Sequence, residues 1–186
     1  LMSANAGAMG MGFIWAGSGQ NLAYKKSYFN QIDGFRPVAY EISGDDIYLI
    51  QSISRIGGGS FNPDPSGAVT TLPVDSVRKF ISQRIRWASN SPKQYQSQVW
   101  FLVFLLSIFI LNVSLLLHIA LGVFTLTFLF IWVLKILMEG IIIYLGSRIS
   151  KTPVSYTIFL LWSIIQIVYI PAMGLLGVAG KFSWKP

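Results

Sequence analysis

The residues with the clearest chemical potential are two adjacent carboxylates, Asp45 and Asp46, and a later trio, Gln83, Arg86 and Trp87. Asp45-Asp46 opens an expected helix in a loop otherwise poor in charge, and a helix N-terminus stabilises negative charge. Carboxylates so placed serve as general base and orienting partner, as metal ligands, or as plain helix caps. A helix over 75–90, at about 100° per residue, separates two faces. Val77, Ile81, Ile85 and Ala88 share an apolar stripe with Phe80 at its edge, while Gln83, Arg86 and Trp87 project from another arc. That arc suits a substrate, with Arg86 on a phosphate and Trp87 stacked on a sugar ring. Periodicity fits an amphipathic helix at a membrane surface just as well. Gly17-Ser18-Gly19, ahead of another helix, can cradle phosphate oxygens with its amide hydrogens. It lacks both the dinucleotide spacing and a Walker lysine, so it also reads as a tight turn.

The elements expected to position these groups alternate between short strands and helices. Phe13–Ala16 reads as a buried strand ending at Gly17. Asn21–Ile32 reads as a helix stopped by Asp33-Gly34. Asp45–Ile56 follows as a second helix, packing Ile47, Leu49, Ile50 and Ile53 inward and ending at Gly57-Gly58-Gly59. Residues 60–72 resemble strand, turn and strand, with Asn62-Pro63-Asp64-Pro65 as the turn. Asp75 or Ser76 is placed to cap the helix that carries Gln83, Arg86 and Trp87.

Beyond that helix the chain changes character. Of 186 residues, 53% are hydrophobic and 11% charged, against roughly 25% charged in an ordinary soluble domain. The apolar runs lie over about 99–118, 120–145 and 155–178, each near the roughly 20 residues that cross a bilayer. Lys135 and Glu139 interrupt the second, four residues apart on one face, where they can neutralise each other. A proton or ion path would need further buried acids, so this pair reads as structural. His118, alone near a helix turn, reads the same way. Pro171, Gly174 and Gly177 lie in the third run and could break it, letting it dip in and return or lie partly along the interface. Basic residues on both sides of it, Arg148/Lys151 and Lys181/Lys185, conflict with three full crossings under the positive-inside tendency; three crossings are nevertheless expected. The net charge of +7 clusters beside apolar segments, which fits retention at the cytoplasmic face of a membrane better than nucleic acid. With no cysteine, thiol chemistry and disulfides are excluded.

Taken in order, Phe13-Ile14-Trp15-Ala16-Gly17-Ser18, Gly19 to Lys26, Asp33-Gly34-Phe35, Gly44-Asp45-Asp46 and Gln83-Arg84-Ile85-Arg86-Trp87 resemble the C-terminal part of a membrane-bound family-2 glycosyltransferase. Cellulose, chitin and hyaluronan synthases belong to that group. The resemblance covers about residues 10–186 and implies an α/β plus α-helical membrane protein. Residues 1–97 would be the C-terminal half of a GT-A nucleotide-diphospho-sugar domain, and 98–186 a membrane region of about three transmembrane or interfacial helices. It implies Asp46 as the base that deprotonates the acceptor hydroxyl, with Asp45 as its neighbour. Gln83 and Arg86 would hold the donor diphosphate, and Trp87 would contact the acceptor together with Phe13, Gly17 and Ser18. Trp15-Ala16 departs from the family's acceptor segment.

The resemblance further implies an inverting transfer from a nucleotide sugar to a lipid-linked or growing glycan, at the inner face of a bacterial plasma membrane. Its partners would be donor, acceptor and lipid bilayer, with no nucleic acid. A divalent metal (Mg or Mn) is implied through an upstream D-x-D, and none occurs here. Leu1 stands where an initiator Met would, so this stretch is expected to lack the donor and metal half and to be inactive alone. The alternative is a non-catalytic membrane module, a transporter subunit or assembly scaffold.

Overall fold

In the computed structural model, the described residues are 2–41, 43–90 and 99–179. They form seven α-helices: α1 Met2–Gly10, α2 Lys26–Gln31, α3 Asp45–Gly57, α4 Val77–Ser89, α5 Val99–Ala120, α6 Leu126–Ser150 and α7 Tyr156–Ala179. Two short 3-10 turns, Arg36–Val38 and Pro65–Gly67, punctuate the loops. The expected division at 97/98 and the basic tail at Lys181 and Lys185 lie outside the described residues.

No strand forms among the described residues, which overturns the expected α/β architecture and the half GT-A domain. An extended segment becomes a strand only when a neighbour pairs with its amide hydrogens and carbonyls. Phe13–Ala16 has other partners: the Trp15 carbonyl accepts from Gln51 Nε2 at 2.8 Å, and the Trp15 ring packs on Phe101 and Phe104 of α5. The chain after Ala68 is exposed, with Leu72 94% accessible, so the apolar alternation there buries nothing. Asp64 caps the short turn at Pro65–Gly67 by accepting from Ser66 N at 2.9 Å.

The helices of the first half follow local signals. Ser76 caps α4, its Oγ accepting from Lys79 N at 3.3 Å. Gly58, at φ 68° and ψ −173°, ends α3 in a positive-φ conformation that a residue without Cβ allows. The α2 helix is shorter than its apolar pattern suggests, since residues 21–25 run as loop. It packs on α3 through the Tyr28 ring, which lies over Gly57.

Helices α5, α6 and α7 are long and apolar enough to cross a membrane. Along α7 the contacts run in order. Phe159 lies by Gly140 of α6, Ser163 binds Lys135, and Ile167 joins Leu115 and Phe128 in the core. Gly174 then receives Phe109 of α5, and Gly177 receives Ala88 of α4. The helix passes through Pro171 without a break. The α1 helix reaches the far end of α6, where Ser3 seats against Gly146.

Lys135 is the one cation buried in these helices among the described residues, its side chain 2% accessible. Its ammonium meets Glu139 Oε1 at 2.8 Å, Ser163 Oγ at 3.2 Å, the Ser163 carbonyl at 3.3 Å and Gln166 Oε1 at 3.2 Å. Ser163 Oγ in turn donates to Glu139 Oε2 at 2.9 Å. The pair expected from spacing is thus a two-helix clamp. Removing one partner strands the other charge, which typically costs about 3–5 kcal/mol, whereas replacing both with apolar groups is often neutral. Lys135→Met should therefore lower the melting temperature in detergent, and Lys135→Met/Glu139→Met should recover most of the loss.

Candidate functional site

The site is assembled where α3 begins and α4 ends. Gly44, at φ 100° and ψ 11°, turns the chain into α3; a side chain there would strain the left-handed backbone. Asp46 then sits in the first turn of α3. Its Oδ2 accepts from Gly19 N at 3.2 Å and its Oδ1 from Ile47 N at 2.9 Å. The Gly17-Ser18-Gly19 turn therefore lies against Asp46, with Gly17 packed on Ile50 of α3. Ser18 is exposed, and its Oγ is 3.4 Å from Gln20 N, which donates to it. Asp45 is exposed beside Asp46.

Helix α4 brings Arg86 to the same place. Arg86 Nη1 donates to Ser43 Oγ at 3.2 Å, and Asn90 Nδ2 donates to the same oxygen at 2.9 Å. Ser43 immediately precedes Gly44, so one hydroxyl ties the end of α4 to the turn that presents Asp46. Trp87, 39% accessible, has the Arg84 guanidinium 4.4 Å from its ring centroid, and that guanidinium also lies 4.7 Å from the Phe80 ring. Gln83 is half-buried one turn before Trp87.

Phe13 goes elsewhere. It stacks on Trp15 at 5.5 Å, within the aromatic cluster that meets α5. The structure thus brings together Gly17, Ser18, Asp45, Asp46 and Arg86 around one turn, with Trp87 on the adjoining face of α4. Ser43, Arg84 and Asn90 were not singled out by sequence. Asn90 carried one usable signal, being four residues after Arg86 and so on its face of a helix.

Helix α4 is held there by α7. Phe80 meets Tyr169 at 6.2 Å, and two turns on Ala88 meets Gly177, so the helices run side by side in one direction. Of the expected apolar stripe, Ile85 is buried and Ala88 is packed, but Val77 is exposed at 74%. At the head of α4, a hydrogen bond from Lys79 at 2.8 Å holds the Asp75 carboxyl below the usual carboxylate range. Among the described residues, no group of three or more His, Cys, Asp or Glu is placed to hold a metal ion. Asp45 and Asp46 are two adjacent carboxylates and fall short of such a group.

The chain matches the family model described as glycosyl transferase family 21 over residues 2–184, nearly its whole length, and it belongs to that family. The sequence resemblance was to family 2; what the two share is a glycosyltransferase. No curated protein and no solved structure matches the chain. Because Gly177 lies against Ala88, a branched side chain there must push α4 away from α7, and such overpacking typically costs about 1–3 kcal/mol. Gly177→Val should lower the melting temperature in detergent and raise the accessibility of Trp87 to a fluorescence quencher. Gly7→Ala, with open space around it, should do neither.

Proposed function

We propose that this member of glycosyl transferase family 21 transfers a sugar from a nucleotide-diphosphate donor to a lipid-linked or growing glycan acceptor, with inversion at the sugar carbon. Asp46 takes the proton from the acceptor hydroxyl as its oxygen bonds to the anomeric carbon. In the same displacement the bond from that carbon to the diphosphate oxygen breaks, and the nucleoside diphosphate leaves with the electron pair. Arg86 offsets the charge that builds on the leaving group, and Gln83 donates an amide hydrogen bond to it. Trp87 offers a ring face to the acceptor sugar, beside the Gly17-Ser18 turn. Asp45 neighbours Asp46 in the first turn of α3, where the positive end of the helix dipole favours both carboxylates. A Mg or Mn ion, when bound, would supply further positive charge at the diphosphate; among the described residues no group of three or more His, Cys, Asp or Glu is placed to hold one.

The observation that supports this reading most directly is the Ser43 hydroxyl, which joins Arg86 to the turn carrying Asp46. A general base and a cation for the leaving group belong on opposite sides of one reacting carbon, and two elements tied at one atom can hold that spacing. The apolar helices α5, α6 and α7 suit an enzyme at the inner face of a bacterial plasma membrane, where a soluble donor meets a membrane-held acceptor. A non-catalytic scaffold would share those helices but would have no use for this junction.

The test is transfer by the full protein in membranes, with radiolabelled UDP- and GDP-sugars as donors and membrane lipids and oligosaccharides as acceptors. Asp46→Asn keeps the size of the side chain and one of the two acceptor oxygens but removes the base. Transfer should fall by about a hundredfold or more, with expression and membrane insertion unchanged. Undiminished transfer by Asp46→Asn would remove Asp46 from the role of base, and donor-independent behaviour of the wild type would favour the scaffold.

A further inference from the structure

We propose that Ser43 and Asn90 form a positioning latch that fixes the Arg86 guanidinium relative to the Asp46 carboxylate, an inference that rests on the transferase reading above. Both residues are nearly sealed from water, Ser43 5% and Asn90 4% accessible. A hydroxyl oxygen has two acceptor positions. Here one takes Nη1 of Arg86 at 3.2 Å and the other takes Nδ2 of Asn90 at 2.9 Å.

Both donors come from the end of α4, since Arg86 lies in its last turn and Asn90 is its C-cap, still in helical conformation at φ −81° and ψ −13°, so the two share a face. The hydroxyl is therefore pinned from two directions by one rigid element. On its own side, Ser43 is followed by the left-handed Gly44 and then by α3, so little slack separates the pinned oxygen from Asp46. A displacement of α4 must move the guanidinium, the serine and the head of α3 together.

The chemistry of Asn90 points the same way. Its Oδ1 is buried without a partner among the described residues, and an orphaned buried carbonyl is destabilising. A residue retained only for stability would be better satisfied as an apolar side chain of similar size. A buried amide with one arm committed and the other orphaned fits a residue kept for where it holds its neighbour. Arg86 presents a planar fork of five N–H donors. Anchoring Nη1 sets the plane of that fork, and hence where its charge falls on a departing diphosphate. Ser43 and Asn90 touch neither substrate in this scheme; they act through Arg86.

The experiment measures kcat and donor KM in the full protein for Ser43→Ala, Ser43→Thr, Asn90→Ala and the Ser43→Ala/Asn90→Ala pair. The donor is the radiolabelled nucleotide sugar that the wild type turns over fastest, and rates are scaled to the folded fraction from a thermal melt. A hydrogen bond to a charged group that matters mainly as charge builds up predicts a fall in kcat of about ten- to a hundredfold, with KM shifted much less. Ser43→Thr keeps the hydroxyl and should restore most of kcat. The double variant should be no slower than the slower single, because both act on one oxygen. Wild-type kcat in Ser43→Ala, losses that multiply in the double variant, or losses explained by the folded fraction alone would each overturn the latch. Asp46→Asn is scored alongside. An inactive Asp46→Asn with a fully active Ser43→Ala removes the latch and leaves the transferase reading standing. A fully active Asp46→Asn removes Asp46 from the role of base, and with it the carboxylate that the latch is proposed to serve.

Discussion

Glycine at position 177 is the constraint on which the arrangement depends. Helix α4 can lie flush along α7 because the backbone at Gly177 carries nothing that would hold off Ala88. That approach places Phe80 against Tyr169 and buries Ile85, and it leaves Arg86 and Asn90 pointing back toward Ser43. The same α7 receives Phe109 at Gly174 and holds the Lys135 clamp through Ser163. One helix therefore carries the packing of both the candidate site and the apolar helices, and among the described residues no sheet lies beneath the site.

What holds the apolar helices together differs from what holds a soluble core. Trp100, Leu126, Phe130 and Ile158 lie open on their surfaces, where acyl chains would be as welcome as protein. Lipid gives no hydrophobic reward for helix association, so contact rests on close backbone approach and interhelical hydrogen bonds. Both are present: small residues at Gly140, Gly174 and Gly177, and the polar cluster of Lys135, Glu139, Ser163 and Gln166. The buried core itself is small, centred on Leu115, Phe128 and Ile167.

The sequence was legible where a signal was local and illegible where it depended on a distant partner. The helix starting at Asp45, the serine cap of α4 and the Lys135–Glu139 pair follow from spacing within one or two turns. The strands at 13–16 and 60–72 did not form, because alternation states only which side is apolar and leaves open what lies beside it. Trp15 spends its apolar surface on the rings of Phe101 and Phe104, a contact that no window of neighbouring residues encodes. Asp46 meeting the Gly19 amide, and Arg86 meeting Ser43, are likewise long-range. The order of the motifs suggested that they belong together; which hydroxyl joins them required the structure.

The alignment of α4 with α7 also limits where the site can sit. Helix α4 carries Arg78, Lys79, Arg84 and Arg86, and from Phe80 to Ala88 it tracks α7 from Tyr169 to Gly177. Guanidinium groups are costly in hydrocarbon unless paired or able to reach the interface. Arg84 is sheathed by two aromatic faces and Arg86 donates to a buried hydroxyl, which offsets part of that cost. The second half of α7, which shares this neighbourhood, must therefore lie at a depth where water or headgroups reach α4. The Asp46–Arg86 junction then falls at the boundary between polar and apolar surroundings. Such a place is open both to polar solutes from water and to groups held in the membrane.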